Sequence, residues 1–95
     1  MECKDNNTES KKKQMAKLAR IEGQIRGIKA MVENNRECDE ILVQINAVNS
    51  ALNNVARDVL YNHIEHCMHY GVSTGNTDDA MEELQYAIEQ FVKMK

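Results

Sequence analysis

Three side chains in this sequence have the chemistry of a metal site: Cys38, His63 and Cys67. Thiolate sulfur and imidazole nitrogen are ligands for soft and borderline metal ions. Two sulfurs and one nitrogen match three-coordinate Cu(I), whereas Zn(II) would require a fourth ligand. His63 and Cys67 are four residues apart, which places them on one face of a helix. The residue types and their spacing therefore predict a metal-binding site.

The segment between these residues predicts one long helix, over about residues 37–70. It contains no Pro and no Gly, so nothing in it interrupts a helix. At 1.5 Å per residue, Cys38 and His63 would lie about 37 Å apart, so one chain cannot bring all three ligands to one ion. Apolar residues recur through the segment in alternating steps of four and three, a heptad pattern that indicates helix pairing: Ile41, Ile45, Val48, Leu52, Val55 and Val59.

A second copy of the chain would complete the site. If two long helices pair antiparallel about a twofold axis near Ala51, Cys38 of one copy lies beside His63 and Cys67 of the other, and the site forms twice. Small residues near that axis, such as Ala47, would let the backbones approach. A chain of 95 residues is also too short to cover such a helix by itself. We therefore expect a homodimer, and covering the flanks of the paired helices favours a homotetramer.

Two further helices, at about residues 10–33 and 78–93, are predicted from apolar residues in steps of three and four. The predicted fold is all-α, with a three-helix protomer and a long central helix. The antiparallel dimer would form a core like a four-helix bundle, and two dimers would associate. We expect a flexible tail at 1–9, one domain at 10–95, a flexible loop at 71–76 and a helix N-cap at Thr77.

Charge is unevenly distributed along the chain. Residues 11–29 contain seven basic residues and a single acid, Glu22, whereas 58–92 contain seven acids and no Lys or Arg. Lys13, Lys17 and Arg20 share one face of the first helix, and Arg57 could add to it. This face is either simply solvated or binds the phosphates of DNA, and the local excess of positive charge favours DNA. No helix-turn-helix, zinc-finger or catalytic pattern is evident, so an enzyme is not expected.

The remaining metal-binding residue types are Cys3, His66 and His69. We expect the two histidines to be secondary and Cys3 to be incidental, although a fourth ligand from Cys3 remains an alternative. An odd number of cysteines, a polar N-terminus and no membrane-spanning stretch favour a reducing cytoplasm and no membrane partner.

Three motifs carry a resemblance to a known family: Arg20-Ile-Glu-Gly-Gln-Ile-Arg-Gly27, Glu37-Cys38-Asp-Glu-Ile-Leu-Val-Gln-Ile45 and His63-x3-Cys67. From about Lys11 onward the chain resembles the copper-sensitive operon repressor family (CsoR/RcnR type). The resemblance implies a helical dimer that assembles into a tetramer, represses operator DNA in its metal-free form and releases it when the inducer binds between subunits. It implies Cu(I) ligands at Cys38, His63 and Cys67.

The same resemblance assigns supporting roles. Glu83 occupies the position of a Glu that supports the ligands without binding the ion, and Lys17 and Arg57 occupy basic positions that support DNA binding. Glu37 departs from the family pattern, since copper sensors often have Tyr there. The chain lacks the N-terminal His of nickel- and cobalt-sensing relatives and the Pro of formaldehyde sensors, and it has the His63 that persulfide sensors lack.

The preferred interpretation is therefore a Cu(I)-responsive repressor. A sensor of Ni(II) or Zn(II) comes second, and a sensor of reactive sulfur species third. A copper buffer without a DNA role and a purely structural helical adaptor are further alternatives.

Overall fold

The computed structural model describes residues 8–94, which form three helices: α1 (Thr8–Glu33), α2 (Cys38–Thr74) and α3 (Thr77–Lys93). No strand occurs within this range. Both α1 and α3 pack along α2 rather than on each other, in a protomer of 57 × 26 × 16 Å. The predicted all-α protomer with a long central helix is confirmed. Within 8–94, none of the helices combines the length and apolarity that a membrane crossing requires.

A tight turn joins α1 to α2. Asn35 has a positive φ of 55°, a conformation that Asn tolerates better than most residues. Its backbone N–H donates to the carbonyl of Val32 at 3.2 Å, and the N–H of Arg36 donates to the carbonyl of Met31 at 3.0 Å. These two hydrogen bonds form a Schellman motif, which ends α1. The turn makes α1 and α2 an antiparallel hairpin, so residues equally distant from it along the chain face one another.

The long helix continues four residues further than the sequence predicted. Gly71 was expected to open a flexible loop, but α2 runs to Thr74 and Gly71 is buried. A Cβ at Gly71 would lie 3.4 Å from the Cβ of Ala80 on α3. That is an ordinary contact distance, and Gly71 is a buried helical residue beside α3 and not the start of a loop, which its sequence position alone did not reveal.

The connection to α3 uses only Gly75 and Asn76. Gly75 has a φ of 73° and its N–H donates to the carbonyl of Gly71 at 3.0 Å. The side-chain oxygen of Asn76 then accepts a hydrogen bond from the N–H of Asp79 at 3.3 Å, so Asn76 is the N-cap rather than Thr77, which is the first helical residue. In addition, α1 begins at Thr8, two residues earlier than expected.

The core between α1 and α2 is small and consists of Ile21, Val48 and Val55, with Ile28 and Ala51 packed against it. The apolar pattern on each helix therefore divides into two sets. One set is in this core, and the other stays exposed at intervals of seven residues. We call the second set the exposed apolar rows: Leu18, Ile25 and Val32 on α1, and Ile45, Leu52 and Val59 on α2.

Candidate metal centre

His63 and Cys67 lie on consecutive turns of α2, and their side chains meet. The sulfur of Cys67 is 3.6 Å from Nε2 of His63 and 4.0 Å from Nδ1. Cys67 is only 1% exposed and is disulfide-bonded in this structure, so it becomes a thiolate ligand only after reduction. It lines an apolar cavity of about 230 Å³ between α2 and α3. The pair is thus a nitrogen and a sulfur donor side by side in a largely apolar setting.

Glu83 brings a carboxylate from α3 to the same place. Ligand atoms of His63, Cys67 and Glu83 all lie within 4.8 Å of one another. Oε2 of Glu83 is buried, and no hydrogen-bond partner for it occurs within the described part of the chain. Leaving a buried polar atom unpaired costs about 1–3 kcal/mol, which is a reason to look for a bound cation or a donor that arrives with it. Spacing alone did not locate Glu83; the family resemblance did.

Cys38 lies far from this group. It is exposed at the start of α2, about 37 Å along the helix from His63 at 1.5 Å per residue. A single protomer therefore does not assemble the three predicted ligands. Glu37 is the N-cap residue of α2 and makes no side-chain capping hydrogen bond.

Other metal-binding residue types stand apart from the group. His66 and His69 follow His63 on α2 but are not part of the cluster that the described residues form. Cys3, considered as a fourth ligand, lies outside residues 8–94.

The donor set fits the predicted ion in part. Imidazole nitrogen and thiolate sulfur suit a soft or borderline ion, whereas the carboxylate of Glu83 suits a harder one. With Cys67 reduced, the protomer would offer one nitrogen and one sulfur, so three-coordinate Cu(I) would need one more soft donor. An exposed Cys38 from a second copy would be that donor.

The four basic residues expected to contact DNA all lie on the surface of the α1–α2 hairpin. Lys13, Lys17 and Arg20 are exposed on α1, and Arg57 is exposed on α2. Lys17 is engaged within the protomer: its ammonium donates to Oδ1 of Asn54 at 2.8 Å and forms an ion pair with Asp58. Ser10 donates to the side-chain oxygen of Asn62 at 3.2 Å.

Asp58, Asn54 and Asn62 were missed by sequence reasoning. They follow one another at intervals of four on the face of α2 that meets α1. The position of the turn could have located them, because a hairpin that turns at Asn35 places Lys17 opposite this part of α2.

An all-helical protomer that combines a candidate metal centre with a basic surface has the features expected of a metal-responsive DNA-binding protein. Residues 10–94 match the family model of the metal-sensitive transcriptional repressors. The chain belongs to that family, which confirms the resemblance seen in its motifs.

Individual relatives agree with this assignment. The chain is 44% identical over 90 residues to the copper-sensing transcriptional repressor CsoR of Bacillus subtilis (strain 168), covering 93% of this chain and 89% of that one. The structure of the copper-sensing repressor CsoR with Cu(I) from Geobacillus thermodenitrificans is similar, with a TM-score of 0.82, 40% identity and coverage of 92% and 91%. The nickel-responsive transcriptional regulator InrS is also similar, with a TM-score of 0.79, 39% identity and coverage of 93% and 96%.

Family membership defines the kind of activity. A transcriptional repressor is a regulator that acts on DNA, so DNA is the predicted class of partner. Transcriptional repressors are not a class of enzymes.

Proposed function

We propose that this chain represses transcription by binding operator DNA in its metal-free form and releases the DNA when it binds Cu(I). The observation that carries the proposal is the 3.6 Å contact between the sulfur of Cys67 and Nε2 of His63. It places two ligands suited to Cu(I) together in a chain that belongs to the metal-sensitive repressors. The relatives named for copper sensing support the same ion.

The third ligand is Cys38 of a second copy. The exposed apolar rows support pairing, because large apolar surfaces that recur on one face of a hairpin usually mark an interface. An antiparallel pair about an axis near Ala51 puts Cys38 of each copy at the His63–Cys67 end of the other. Bound Cu(I) would then supply a cross-link between subunits at each end of the pair. Association of two such dimers into a tetramer is part of the proposal.

Operator DNA is bound by the basic face of α1, formed by Lys13, Lys17 and Arg20, together with Arg57 of α2. Lys and Arg neutralise phosphates and thereby release counterions, which dominates non-specific affinity. Because two or four copies of this face are held in one oligomer, their spacing decides how many phosphates they reach together.

Coupling between metal and DNA runs through α2. Asn62, next to His63, accepts a hydrogen bond from Ser10 of α1, so a shift of α2 at His63 moves the helix that carries the basic face. The spacing of these faces within the oligomer then no longer matches the phosphates. A coupling of about 1–3 kcal/mol changes the DNA affinity by roughly 5- to 150-fold.

The test is an anaerobic titration of the reduced protein with Cu(I) against a competing chelator. Binding to fluorescent DNA from upstream of its own gene is followed by anisotropy. We expect tight uptake of one Cu(I) per protomer together with loss of DNA binding, and the same result for Cys3→Ser. Cys38→Ala should bind DNA normally but ignore Cu(I). DNA binding by the parent protein that persists with Cu(I) bound would reject the copper response.

A sensor of Ni(II) or Zn(II) is the second candidate. It is favoured by the carboxylate of Glu83 beside His63 and Cys67, since divalent ions of this kind accept oxygen ligands more readily than Cu(I) does. The similarity to the nickel-responsive InrS supports it as well. The titration is repeated with each ion, and with a persulfide for the sulfur-sensing alternative. The added species that releases DNA identifies the inducer.

A further inference from the structure

We infer that Asp58 competes with DNA phosphate for Lys17 and thereby sets the affinity of the metal-free repressor for DNA. This inference rests on the proposed DNA-binding role of the basic face of α1. The contact that carries it joins the central lysine of that face to a carboxylate on α2.

Lys17 occupies the middle of the basic face. Lys13 precedes it by four residues and Arg20 follows it by three, so the three side chains project from neighbouring turns of α1. Lys17 also lines two surface cavities on this side of the hairpin, one of about 320 Å³ that includes Lys13 and one of about 440 Å³ that includes Arg20. A phosphate that spans this face would meet Lys17 first.

The ammonium of Lys17 is directed toward α2 instead. It has three N–H donors, of which one is given to Oδ1 of Asn54 at 2.8 Å and another to the carboxylate of Asp58. A phosphate approaching the face therefore finds one donor of Lys17 free and a carboxylate beside it. Both the lost donor and the negative charge oppose binding.

The contact is open to exchange. The side chain of Lys17 is 43% exposed and that of Asp58 is 38% exposed. An ion pair this exposed contributes little to stability, so a phosphate can displace it without disturbing the core. Asp58 also lines the 320 Å³ cavity together with Lys13. Within residues 8–94, it is the carboxylate that forms an ion pair with this basic face.

The test compares Asp58→Asn with a matched control. Glu22 is an exposed acid on α1 that forms no ion pair recorded among the described residues, so Glu22→Gln reports the general effect of removing one negative charge. In the metal-free state we expect Asp58→Asn to tighten DNA binding about threefold or more beyond Glu22→Gln. The dependence of the affinity on salt should also steepen, because Lys17 gains a phosphate contact. Circular dichroism checks that the helices are intact.

A double substitution identifies the route of the effect. In a Lys17→Ala background, Asp58→Asn should change DNA binding no more than Glu22→Gln does. If Asp58→Asn equals Glu22→Gln, or weakens binding, the inference is wrong. If Lys17→Ala and Arg20→Ala each leave DNA binding unchanged, the proposed DNA surface itself is wrong, which is a different outcome.

Discussion

The sulfur of Cys67 and Nε2 of His63 lie 3.6 Å apart on α2, in a protomer whose remaining expected ligand, Cys38, is at the far end of the same helix. Two of the three expected ligands thus lie together within one protomer, and the proposal requires the third to come from a second copy.

His63→Ala should affect the response more than the retention of copper. Two thiolates from different subunits can still hold Cu(I). The variant lacks the ligand next to Asn62, the residue whose hydrogen bond with Ser10 links α2 to α1. We expect Cu(I) binding to persist, while the factor by which Cu(I) lowers the affinity for DNA becomes about tenfold smaller or more. His66→Ala is the control, because His66 is outside the cluster. Normal DNA release by His63→Ala with copper bound would show that coupling takes another route.

Glu83→Gln should separate stability from sensing. Its buried carboxylate oxygen has no partner in the described residues, so the neutral amide should raise the melting temperature of the metal-free protein. Groups that support metal ligands typically contribute about 10- to 100-fold in affinity or activity, so Cu(I) affinity or DNA release should weaken by that order. The neighbouring exposed Glu82→Gln should change neither property. A melting temperature unchanged or lowered by Glu83→Gln would contradict this view of its environment.

Two glycines of the α2–α3 connection should respond in opposite directions to alanine. Gly71→Ala adds a Cβ at ordinary contact distance from Ala80 within a helix, and should stabilise the protein by up to about 1 kcal/mol. Gly75 has a φ of 73°, so Gly75→Ala should destabilise it by about 1–2 kcal/mol. Urea unfolding of both variants measures the difference. Equal effects of the two substitutions would contradict the helical assignment of Gly71.

Leu52→Glu should break the dimer. Leu52 belongs to the exposed apolar rows, and burying a leucine contributes about 1.5–3 kcal/mol, twice per symmetric pair. We expect the dimer dissociation constant to rise by at least about 100-fold, measured by sedimentation equilibrium, with loss of tight Cu(I) binding as a consequence. Val43→Glu is the control because Val43 is also exposed but lies on the opposite face of α2. If both variants stay dimeric, the pairing surface lies elsewhere.

The spacing of residues along the sequence predicted the features that depend on a single helix. His63 and Cys67 meet because they are four apart on α2, and the long run without Pro or Gly predicted a central helix. The heptad pattern was seen as one seam, whereas the structure divides it: Val48 and Val55 pack against α1, while Leu52 stays exposed. Periodicity shows that a residue is on an apolar stripe but does not show which neighbour covers it.

Contacts between helices were harder to predict. Gly71 looked like a loop residue because glycine often ends helices, and only the packing of α2 beside Ala80 shows that it is a buried helical residue. Thr77 and Asn76 are both of a type that caps helices, and the helix begins one residue earlier than a Thr77 cap would require, which makes Asn76 the N-cap. Asp58 was counted among the acids of the second half of the chain, and its place opposite Lys17 follows only once the turn at Asn35 is known.

The shared site is tested most directly by mixing two inactive proteins. One carries Cys38→Ala, and the other carries His63→Ala together with Cys67→Ala, so neither homodimer has a complete site. After unfolding and refolding together, the mixed dimer should have one intact site, made from Cys38 of one chain and His63 and Cys67 of the other. The account predicts one tightly bound Cu(I) per mixed dimer, with Cu(I)-dependent release of DNA that neither parent shows. Failure of the mixed dimer to bind Cu(I), or tight Cu(I) binding by either parent alone, would contradict a site shared between subunits.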